Sequence, residues 1–335
     1  MIFLTNVVKS ILDNKNEPTN TNVKDIVKVM NEKQLSTALP RQPLSKIIGA
    51  TIKTGIIKSN LIPMFAGLTL ALYTYQKDLV ETFPNIVYAF IGTTLVIAAA
   101  GAFNNLYDRD IDAIMKRTRK RPTVTGEISA RTVLWLSIVM TILGVAILSL
   151  ATPLAGFLGF LGVFFYVVPY TIWTKRRTIW NTEVGSISGA MPPLIGWAAI
   201  QPDITHPAII GLFIVTVIWQ MPHFYAIAIR SHEDYEAANV PMLPVVKGVK
   251  RTYIQTNVYL FIMVAISFLF GTLSLGLMLV ALILSIGWLV LSIYGSKKMD
   301  ANKWAKSMFV YSLVHMTVLF STVIIYSLMG IFFFQ

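Results

Sequence analysis

Long apolar runs separated by short polar connections dominate the chain from about residue 56 onward. A helix needs about 20 mainly apolar residues to cross a bilayer, and nine runs approach or meet that length. They lie near residues 56–76, 86–104, 132–150, 154–173, 181–200, 208–229, 253–271, 274–294 and 308–330. The pattern predicts an all-α integral membrane protein built as a nine-transmembrane-helix bundle.

Residues 1–45 do not share this pattern. They are polar, they include Pro18, Pro40 and Pro43, and their opening is too short and too polar for a secretory signal. We therefore expect a flexible cytoplasmic N-terminal tail (1–45), followed by one intramembrane domain over residues 46–335.

Composition supports the membrane assignment. Of 335 residues, 55% are hydrophobic and 13% are charged, whereas soluble domains carry about 25% charged residues. The chain has no cysteine, which excludes disulfides, thiolate metal sites and cysteine nucleophiles.

The basic residues fall in alternate connections. The tail and the even-numbered connections carry Lys and Arg, whereas the odd-numbered connections carry only Lys77. By the positive-inside rule, the N-terminus is cytoplasmic, the C-terminus lies outside, and the polar mouth of the bundle opens to the cytoplasm. The net charge of +12 therefore reflects membrane topology, with lipid as the partner, and does not indicate nucleic-acid binding.

The second connection holds the clearest candidate chemistry. Asn104, Asp108 and Asp112 are spaced four apart, and Arg117 and Arg121 repeat that spacing, so each set lies on one helical face if the helix continues. Carboxylates suit Mg²⁺ shared with a substrate phosphate, and arginines suit phosphate oxygens. For any single acid, the alternative is an ordinary loop residue that caps a helix end. The regular spacing instead favours a site with Asp108 and Asp112 as metal ligands.

Basic and polar residues at two further helix ends have two interpretations each. In one interpretation Lys53 snorkels and Asn60 caps the first span. In the other, Lys53 or Asn60 lies with the acids at the polar mouth of the bundle. Lys175 and Arg176 either anchor the aromatic end of the fourth span or meet a diphosphate.

His223 lies inside the sixth apolar run, where an ionisable side chain is costly and is a functional candidate. A packed polar histidine is the alternative. His232-Glu233 lacks the second histidine of a zinc protease helix.

Several motifs resemble one family, the intramembrane aromatic prenyltransferases. The first is Asn104-Asn105-x-x-Asp108-x-x-x-Asp112, which resembles the first Asp-rich motif of that superfamily. Four further stretches resemble its protohaem IX farnesyltransferase (haem O synthase) branch: Tyr107-Asp108-Arg109-Asp110-Ile111-Asp112, Arg117-Thr118-x-x-Arg121-Pro122, Trp219-Gln220-Met221-Pro222-His223-Phe224 and Pro241-Met242-Leu243-Pro244-Val245-Val246. The second Asp-rich motif is reduced to His232, Glu233 and Asp234, which leaves a second Mg²⁺ open.

The resemblance implies a Mg²⁺-dependent transfer of a farnesyl group from farnesyl diphosphate to a vinyl group of haem B. The product, haem O, serves haem-copper oxidases, and the enzyme works in the bacterial plasma membrane, where the next haem-modifying enzyme is a possible partner. Asn104, Asp108, Asp112 and His223 are the expected catalytic residues, with His223 either contacting the haem iron or orienting the porphyrin. The residues expected to bind diphosphate, the allylic cation or haem are Lys53, Asn60, Arg117, Arg121, Tyr166, Tyr170, Lys175, Arg176 and Arg230.

Two rival functions remain at this stage. A prenyltransferase with an aromatic quinone-precursor acceptor predicts a fuller second Asp-rich motif. A membrane transporter predicts polar residues near the bilayer midplane and broken, repeated helices, whereas these acids cluster at helix ends.

Overall fold

A computed structural model describes residues 42–333, and every regular element in that range is helical. In chain order the helices are α1 Leu44–Thr51, α2 Thr54–Thr74, α3 Leu79–Tyr107, α4 Arg109–Ile114, α5 Pro122–Thr125, α6 Ala130–Ala151, α7 Pro153–Phe165, α8 Asn181–Gly189, α9 Met191–Ile200, α10 Pro207–Arg230, α11 His232–Ala237, α12 Leu243–Ser267, α13 Leu275–Lys298 and α14 Ala301–Phe333. A π-helical segment, Tyr166–Thr174, extends α7, and a 3₁₀ segment, Phe268–Thr272, follows α12. Most of the predicted tail lies outside the described residues.

Eight helices, counting α7 and α12 with their extensions, are long and apolar enough to cross a membrane. The predicted fifth span, residues 181–200, is the ninth member, folded as α8 and α9 with a break at Ala190. The prediction of a nine-helix membrane bundle is therefore confirmed for residues 42–333. Some boundaries differ, since α12 begins ten residues before the expected 253 and α14 seven before 308.

The break in the fifth span follows from its sequence. Pro192 and Pro193 open α9, and proline lacks the N–H that a continuous helix would donate while its ring crowds the preceding turn. Ala190 closes α8 by donating its N–H to the carbonyl of Ser186 at 3.0 Å. The two half-helices can therefore pack at different angles.

Glycines bring the broken span close against the first span. A Cβ at Gly67 on α2 would stand 2.0 Å from the carbonyl oxygen of Pro193 on α9. A Cβ at Gly196 on α9 would stand 2.0 Å from the carbonyl oxygen of Met64. Such backbone approach through small residues is a common way of packing membrane helices without a hydrophobic driving force.

The π-helical segment turns the end of the fourth span. Pro169 lies inside it, and the Thr171 hydroxyl donates to the carbonyl of Tyr166, five residues earlier, at 2.8 Å. The wider turn satisfies carbonyls that an α-helix would leave without partners around Pro169. It also rotates Tyr170 and Lys175 relative to an α-helical path, which matters for the site.

Large apolar side chains cover the outside of the bundle. Ile283, Phe261 and Ile142 are 69%, 68% and 62% exposed. Continuous apolar exposure on this scale is untenable in water and is what lipid contact requires.

Candidate active site

Asn104, Asp108 and Asp112 share one helical face, as their spacing predicts. Asp108 joins α3 to α4, and the helical hydrogen bonds run through the junction: Asp108 N–H to Asn104 O at 2.9 Å and Asp112 N–H to Asp108 O at 2.8 Å. The three residues are only 3%, 0% and 3% exposed. The face thus presents two buried carboxylates one turn apart.

Three basic side chains from separate segments close around this face. Lys175 pairs with Asp108, and Arg121 pairs with Asp112. Lys53 donates to the side-chain carbonyl of Asn104. We call these six residues the polar mouth: Lys53, Asn104, Asp108, Asp112, Arg121 and Lys175.

The polar mouth has more basic than acidic side chains, with three basic groups against two carboxylates. Asn104 bridges the two sets, since its amide donates to Asp108 Oδ2 at 2.6 Å while its carbonyl accepts from Lys53. An excess of positive charge in a partly desolvated site attracts a polyanion such as a diphosphate.

Lys53 is strained and lies half-buried among charged groups. Its φ of 58° and ψ of 58° are left-handed, a conformation that costs a residue with a side chain about 1–2 kcal/mol. Burial lowers the pKa of its ammonium well below the ordinary value, and the charges of Arg121 and Lys175 add to that effect. Strain and desolvation at one residue are typical of functional sites.

Two tyrosines from the π-helical segment lie beside the polar mouth. The rings of Tyr166 and Tyr170 are 5.4 Å apart, and the Lys175 Nζ stands 5.9 Å from the Tyr170 centroid. Gly185 on α8 leaves room for this arrangement, because a Cβ there would come within 2.8 Å of the Tyr170 ring. Electron-rich ring faces in such a position can stabilise a cation.

Arg176 is engaged at the rim rather than at the buried carboxylates. It donates two hydrogen bonds of 2.7 Å to Asp110, whereas its contact with Asp108 is longer, at 3.5 Å. Its guanidinium stacks on the Tyr107 ring, 4.9 Å from the ring centroid. The hydrogen bond from Arg176 lowers the pKa of the Asp110 carboxyl. Sequence reasoning missed Asp110 as its partner, because Asp110 lies on a different helical face from Asp108 and Asp112.

Arg117 does not join the polar mouth. Its side chain is exposed. Its loop is held by Asp234, which accepts the N–H of Lys116 at 2.9 Å and that of Arg117 at 3.3 Å. Glu233 forms an exposed ion pair with Lys116 at 3.0 Å. Glu233 and Asp234 therefore both bind the loop, and neither is placed with Asp108 and Asp112.

His223 and Arg230 also lie apart from the polar mouth, on α10. His223 contacts α14, where Ser312 is 2.7 Å from its Nδ1, and Arg230 stacks on Phe309 at 5.2 Å. The sequence identified both residues, but only the packing of α10 against α14 shows what surrounds them.

Glu183 forms a polar cluster that the sequence did not predict as a site. Its Oε1 accepts hydrogen bonds from Tyr225 and, at 3.0 Å each, from Gln255 and Tyr259. The partners come from two helices, α10 and α12, and are distant from Glu183 in sequence, so no local spacing could have linked them.

An apolar slot runs into the bundle beside the polar mouth. The slot is partly open to the outside, and its empty space, open solvent included, is about 550 Å³. Lys53, Asn60 and Tyr166 provide polar atoms to its lining, and Asn60 also donates to its own helix at Ile56 O, 2.9 Å away. The remaining lining is mainly small or apolar: Ile56, Val96, Ile97, Ala100, Gly101, Gly162, Val163, Ser188, Gly189, Met191, Pro192 and Ile195.

The donor set fits a shared Mg²⁺ better than a metal site complete in itself. Within residues 42–333 no group of three or more His, Cys, Asp or Glu side chains is arranged to hold a metal. Two carboxylates from Asp108 and Asp112, buried on one face, match the usual arrangement in which Mg²⁺ takes one or two carboxylates and fills its other positions with water and substrate phosphates.

The UbiA prenyltransferase family profile matches residues 60–314, and the chain belongs to that family. It is therefore a membrane-embedded prenyltransferase, as the Asp-rich motif suggested, and the transporter alternative is set aside.

Two bacterial relatives narrow the resemblance further. "Protoheme IX farnesyltransferase 1" of Bacillus cytotoxicus is 71% identical over 302 residues, which cover 90% of this chain and 98% of that protein. "Protoheme IX farnesyltransferase 2" of Lysinibacillus sphaericus is 64% identical over 305 residues, 90% of this chain and 96% of that protein. These similarities confirm the branch indicated by the Trp219–Phe224 and Pro241–Val246 motifs.

The fold is also that of solved structures. A UbiA homolog from Archaeoglobus fulgidus bound to DMAPP and Mg²⁺ aligns with a TM-score of 0.62 over 83% of this chain and 98% of that chain, at 16% identity.

Proposed function

We propose that this chain transfers the farnesyl group of farnesyl diphosphate to a vinyl group of haem B and so makes haem O. One observation carries the proposal: two buried carboxylates on one helical face, ringed by Lys53, Arg121 and Lys175, open beside an apolar slot. A diphosphate with a long hydrocarbon tail matches both halves of that site. The names of the relatives at 71% and 64% identity supply the acceptor.

Asp108 and Asp112 would hold Mg²⁺ against the diphosphate, with Asn104 beside them. When bound, the metal would neutralise negative charge on the diphosphate oxygens as the bond to the farnesyl carbon breaks. Arg121, Lys53 and Lys175, now paired within the protein, would exchange those partners for phosphate oxygens and stabilise the departing group. Arg121 and Lys175 would be free to do so, because their carboxylate partners, Asp112 and Asp108, would then bind the metal.

The slot would hold the farnesyl chain and exclude water from the reactive carbon. Along α3 it extends from Gly101 to Val96, five residues or about 7.5 Å, and it deepens between the fourth and fifth spans. The tyrosine pair, Tyr166 and Tyr170, would face the allylic cation as the diphosphate leaves.

The bond changes balance with water as the only further reactant. The farnesyl carbon–oxygen bond breaks, and the diphosphate leaves with the electron pair. The π electrons of the haem vinyl form the new carbon–carbon bond at the terminal vinyl carbon. The positive charge left beside the pyrrole accepts water, which then loses a proton and leaves the hydroxyl of haem O.

The protein would work in the bacterial plasma membrane with its polar mouth in the cytoplasm. The alternation of basic connections supports this orientation, with the N-terminus inside and the C-terminus outside. Lipid would then surround the apolar outer faces of the bundle. The tail and its possible role in meeting the next haem-modifying enzyme lie largely outside the described residues.

The test is a reconstituted reaction. The detergent-purified chain is incubated with haem B, farnesyl diphosphate and Mg²⁺, and the haems are separated by chromatography and weighed by mass spectrometry. We expect a haem heavier by one farnesyl group and one water, which is lost when Mg²⁺ is chelated. Unchanged haem B together with prenylation of an aromatic acid offered in parallel would reject the haem acceptor and leave the family assignment standing.

A further inference from the structure

His223 sits in a rigid aromatic frame on α10. Its imidazole stacks between the Trp219 ring, 4.5 Å away and inclined by 20°, and the Phe309 ring, 5.1 Å away and inclined by 30°. Trp219 is itself fixed, because its indole N–H donates to the carbonyl of Ser312 at 2.9 Å. Both flat faces of the imidazole are covered, so only its edges can meet a ligand.

Ser312 determines which ring nitrogen carries the proton. The Ser312 hydroxyl has a single proton, and it donates that proton to the carbonyl of Phe309 at 2.5 Å. With its proton directed at Phe309, the hydroxyl oxygen accepts from His223 Nδ1, 2.7 Å away. This arrangement places the imidazole proton on Nδ1 and leaves a lone pair on Nε2.

Nε2 lies on the opposite edge of the ring from the Ser312 hydroxyl. His223 is half-buried, and Nε2 is not fully enclosed and has no hydrogen-bond partner among residues 42–333. An imidazole with Nδ1–H donated to a fixed acceptor and Nε2 free is the arrangement by which proteins present histidine to a metal.

Residues around the open edge suit a flat, acidic macrocycle. Phe224, 39% exposed, lies edge-on to His223 with the rings inclined by 77° and their centroids 5.3 Å apart, so it can lie flat against a plane perpendicular to the imidazole. Arg230 is seven residues further along α10, or about 10 Å towards its end, and stacks on the same Phe309 ring. A cation at that separation from the imidazole suits the carboxylate arms of a metalloporphyrin.

The other three histidines lack this combination. His206 caps the start of α10 by accepting the N–H of Ala208 at 3.2 Å, and His232 lies on the rim 3.8 Å from Glu236. His315 is 1% exposed, and its Nδ1 is enclosed without a partner among the described residues.

We propose that His223 binds the iron of the acceptor haem through Nε2, with Ser312 as the positioning residue that fixes its tautomer and Arg230 as the partner of a propionate. This inference rests on the proposed function, because it takes haem B as the acceptor. The porphyrin is then held by its iron and its propionate edge, which leaves its opposite, vinyl-bearing edge free.

The test uses the full chain loaded with haem B in the absence of farnesyl diphosphate. Resonance Raman spectra of the ferrous form report the iron–histidine stretch, and a titration reports haem affinity. We expect the stretch in the wild type, its loss in His223→Ala, and its return as an iron–imidazole signal when imidazole is added to that variant. In His206→Ala and His232→Ala, the matched controls, we expect the wild-type signal.

Ser312→Ala separates positioning from simple packing. Loss of the acceptor for Nδ1–H should shift the iron–histidine stretch to lower frequency and weaken haem binding by about 10-fold or more, the usual range for partners of metal-ligating histidines. An unshifted stretch in Ser312→Ala would overturn the role of Ser312. A stretch that persists in His223→Ala without imidazole, or that disappears in His232→Ala, would overturn the ligand.

The outcomes also separate this inference from the proposed function. A His223-dependent stretch without any farnesylated haem in the turnover assay leaves the ligand assignment standing and rejects the reaction. If the wild type forms farnesylated haem but shows no iron–histidine stretch, the reaction stands and the ligand assignment is rejected. A wild type that binds no haem B at all rejects both.

Discussion

At the scale of single residues, the site combines groups that are individually unfavourable. Asp108 is fully buried, Lys53 is strained and desolvated, and each is compensated by a neighbour that a substrate would displace. A bound diphosphate and its metal would replace these partners within the protein. Substitutions here should therefore affect stability and activity differently.

Lys53 offers the sharpest separation of the two effects. Lys53→Gly removes the side chain and the left-handed strain together, whereas Lys53→Ala removes the side chain and keeps the strain. We expect both variants to raise KM for farnesyl diphosphate by about 10-fold or more, the size of one charge-assisted hydrogen bond. The glycine variant should be more stable than the alanine variant by about 1 kcal/mol.

Thermal unfolding in detergent and initial rates measured on the same preparations check both halves. Equal stability of the two variants would mean that Lys53 is not strained in the membrane protein. An unchanged KM in both would remove Lys53 from the diphosphate site.

The acidic residues of the second connection should divide sharply by position. Asp108→Asn and Asp112→Asn each keep size and lose charge, and we expect turnover to fall by at least about 100-fold, because the metal and the leaving diphosphate lose their anchor. Asp110→Asn is the matched control, since Asp110 pairs with Arg176 at the rim, and its effect should stay within a few fold. Turnover is followed by chromatography of the haems at saturating Mg²⁺, and comparable losses in all three variants would contradict the assignment.

At the scale of elements, the second and sixth connections are held to one another. Asp234 on α11 accepts two backbone N–H groups of the 116–117 loop, and Met115 of that loop is 3% exposed in a cluster with Ala228 and Val240. This loop leads directly to Arg121. The segment after the sixth span thus positions the arginine that pairs with Asp112.

We expect Asp234→Ala to loosen this loop without removing any group from the polar mouth. KM for farnesyl diphosphate should rise by about 10-fold, within the range for hydrogen bonds to a charged group, and trypsin should cut faster after Lys116 and Arg117. Glu233→Gln, which removes only an exposed ion pair with Lys116, should change neither measurement. Equal proteolysis of wild type and Asp234→Ala would show that Asp234 does not hold the loop.

The elements also show what sequence can and cannot predict. Apolar runs located the spans, and four-residue spacing placed Asn104, Asp108 and Asp112 on one face, because both are local properties of helices. The backbone of Lys53, the π-helical turn at Pro169 and the Asp110–Arg176 pair depend on contacts between distant segments. Arg117 illustrates the limit, since its spacing from Arg121 suggested a joint role, yet the loop between them is not a helix that could align the two.

At the scale of the whole molecule, the bundle separates a charged end from an apolar exterior. The orientation of that charged end is a topological prediction that a cysteine-free chain makes simple to test. Arg119 and Glu81 are both exposed, on connections predicted to lie on opposite sides of the membrane.

In intact cells, a membrane-impermeant thiol reagent should label Glu81→Cys and spare Arg119→Cys. Permeabilised cells should show both labelled, because each variant carries a single thiol and both sites are exposed. Labelling of Arg119→Cys alone in intact cells would invert the topology and place the polar mouth outside.

The surplus of positive charge around Asp108 and Asp112 has a kinetic consequence. If these residues bind the diphosphate of the substrate, they would also retain the free diphosphate left behind once the farnesyl carbon has departed. That product carries more charge than the esterified group and no hydrocarbon tail to add to its binding. Its escape, rather than bond formation, can then set the pace of each cycle, and cells that hydrolyse inorganic diphosphate rapidly would keep the enzyme running.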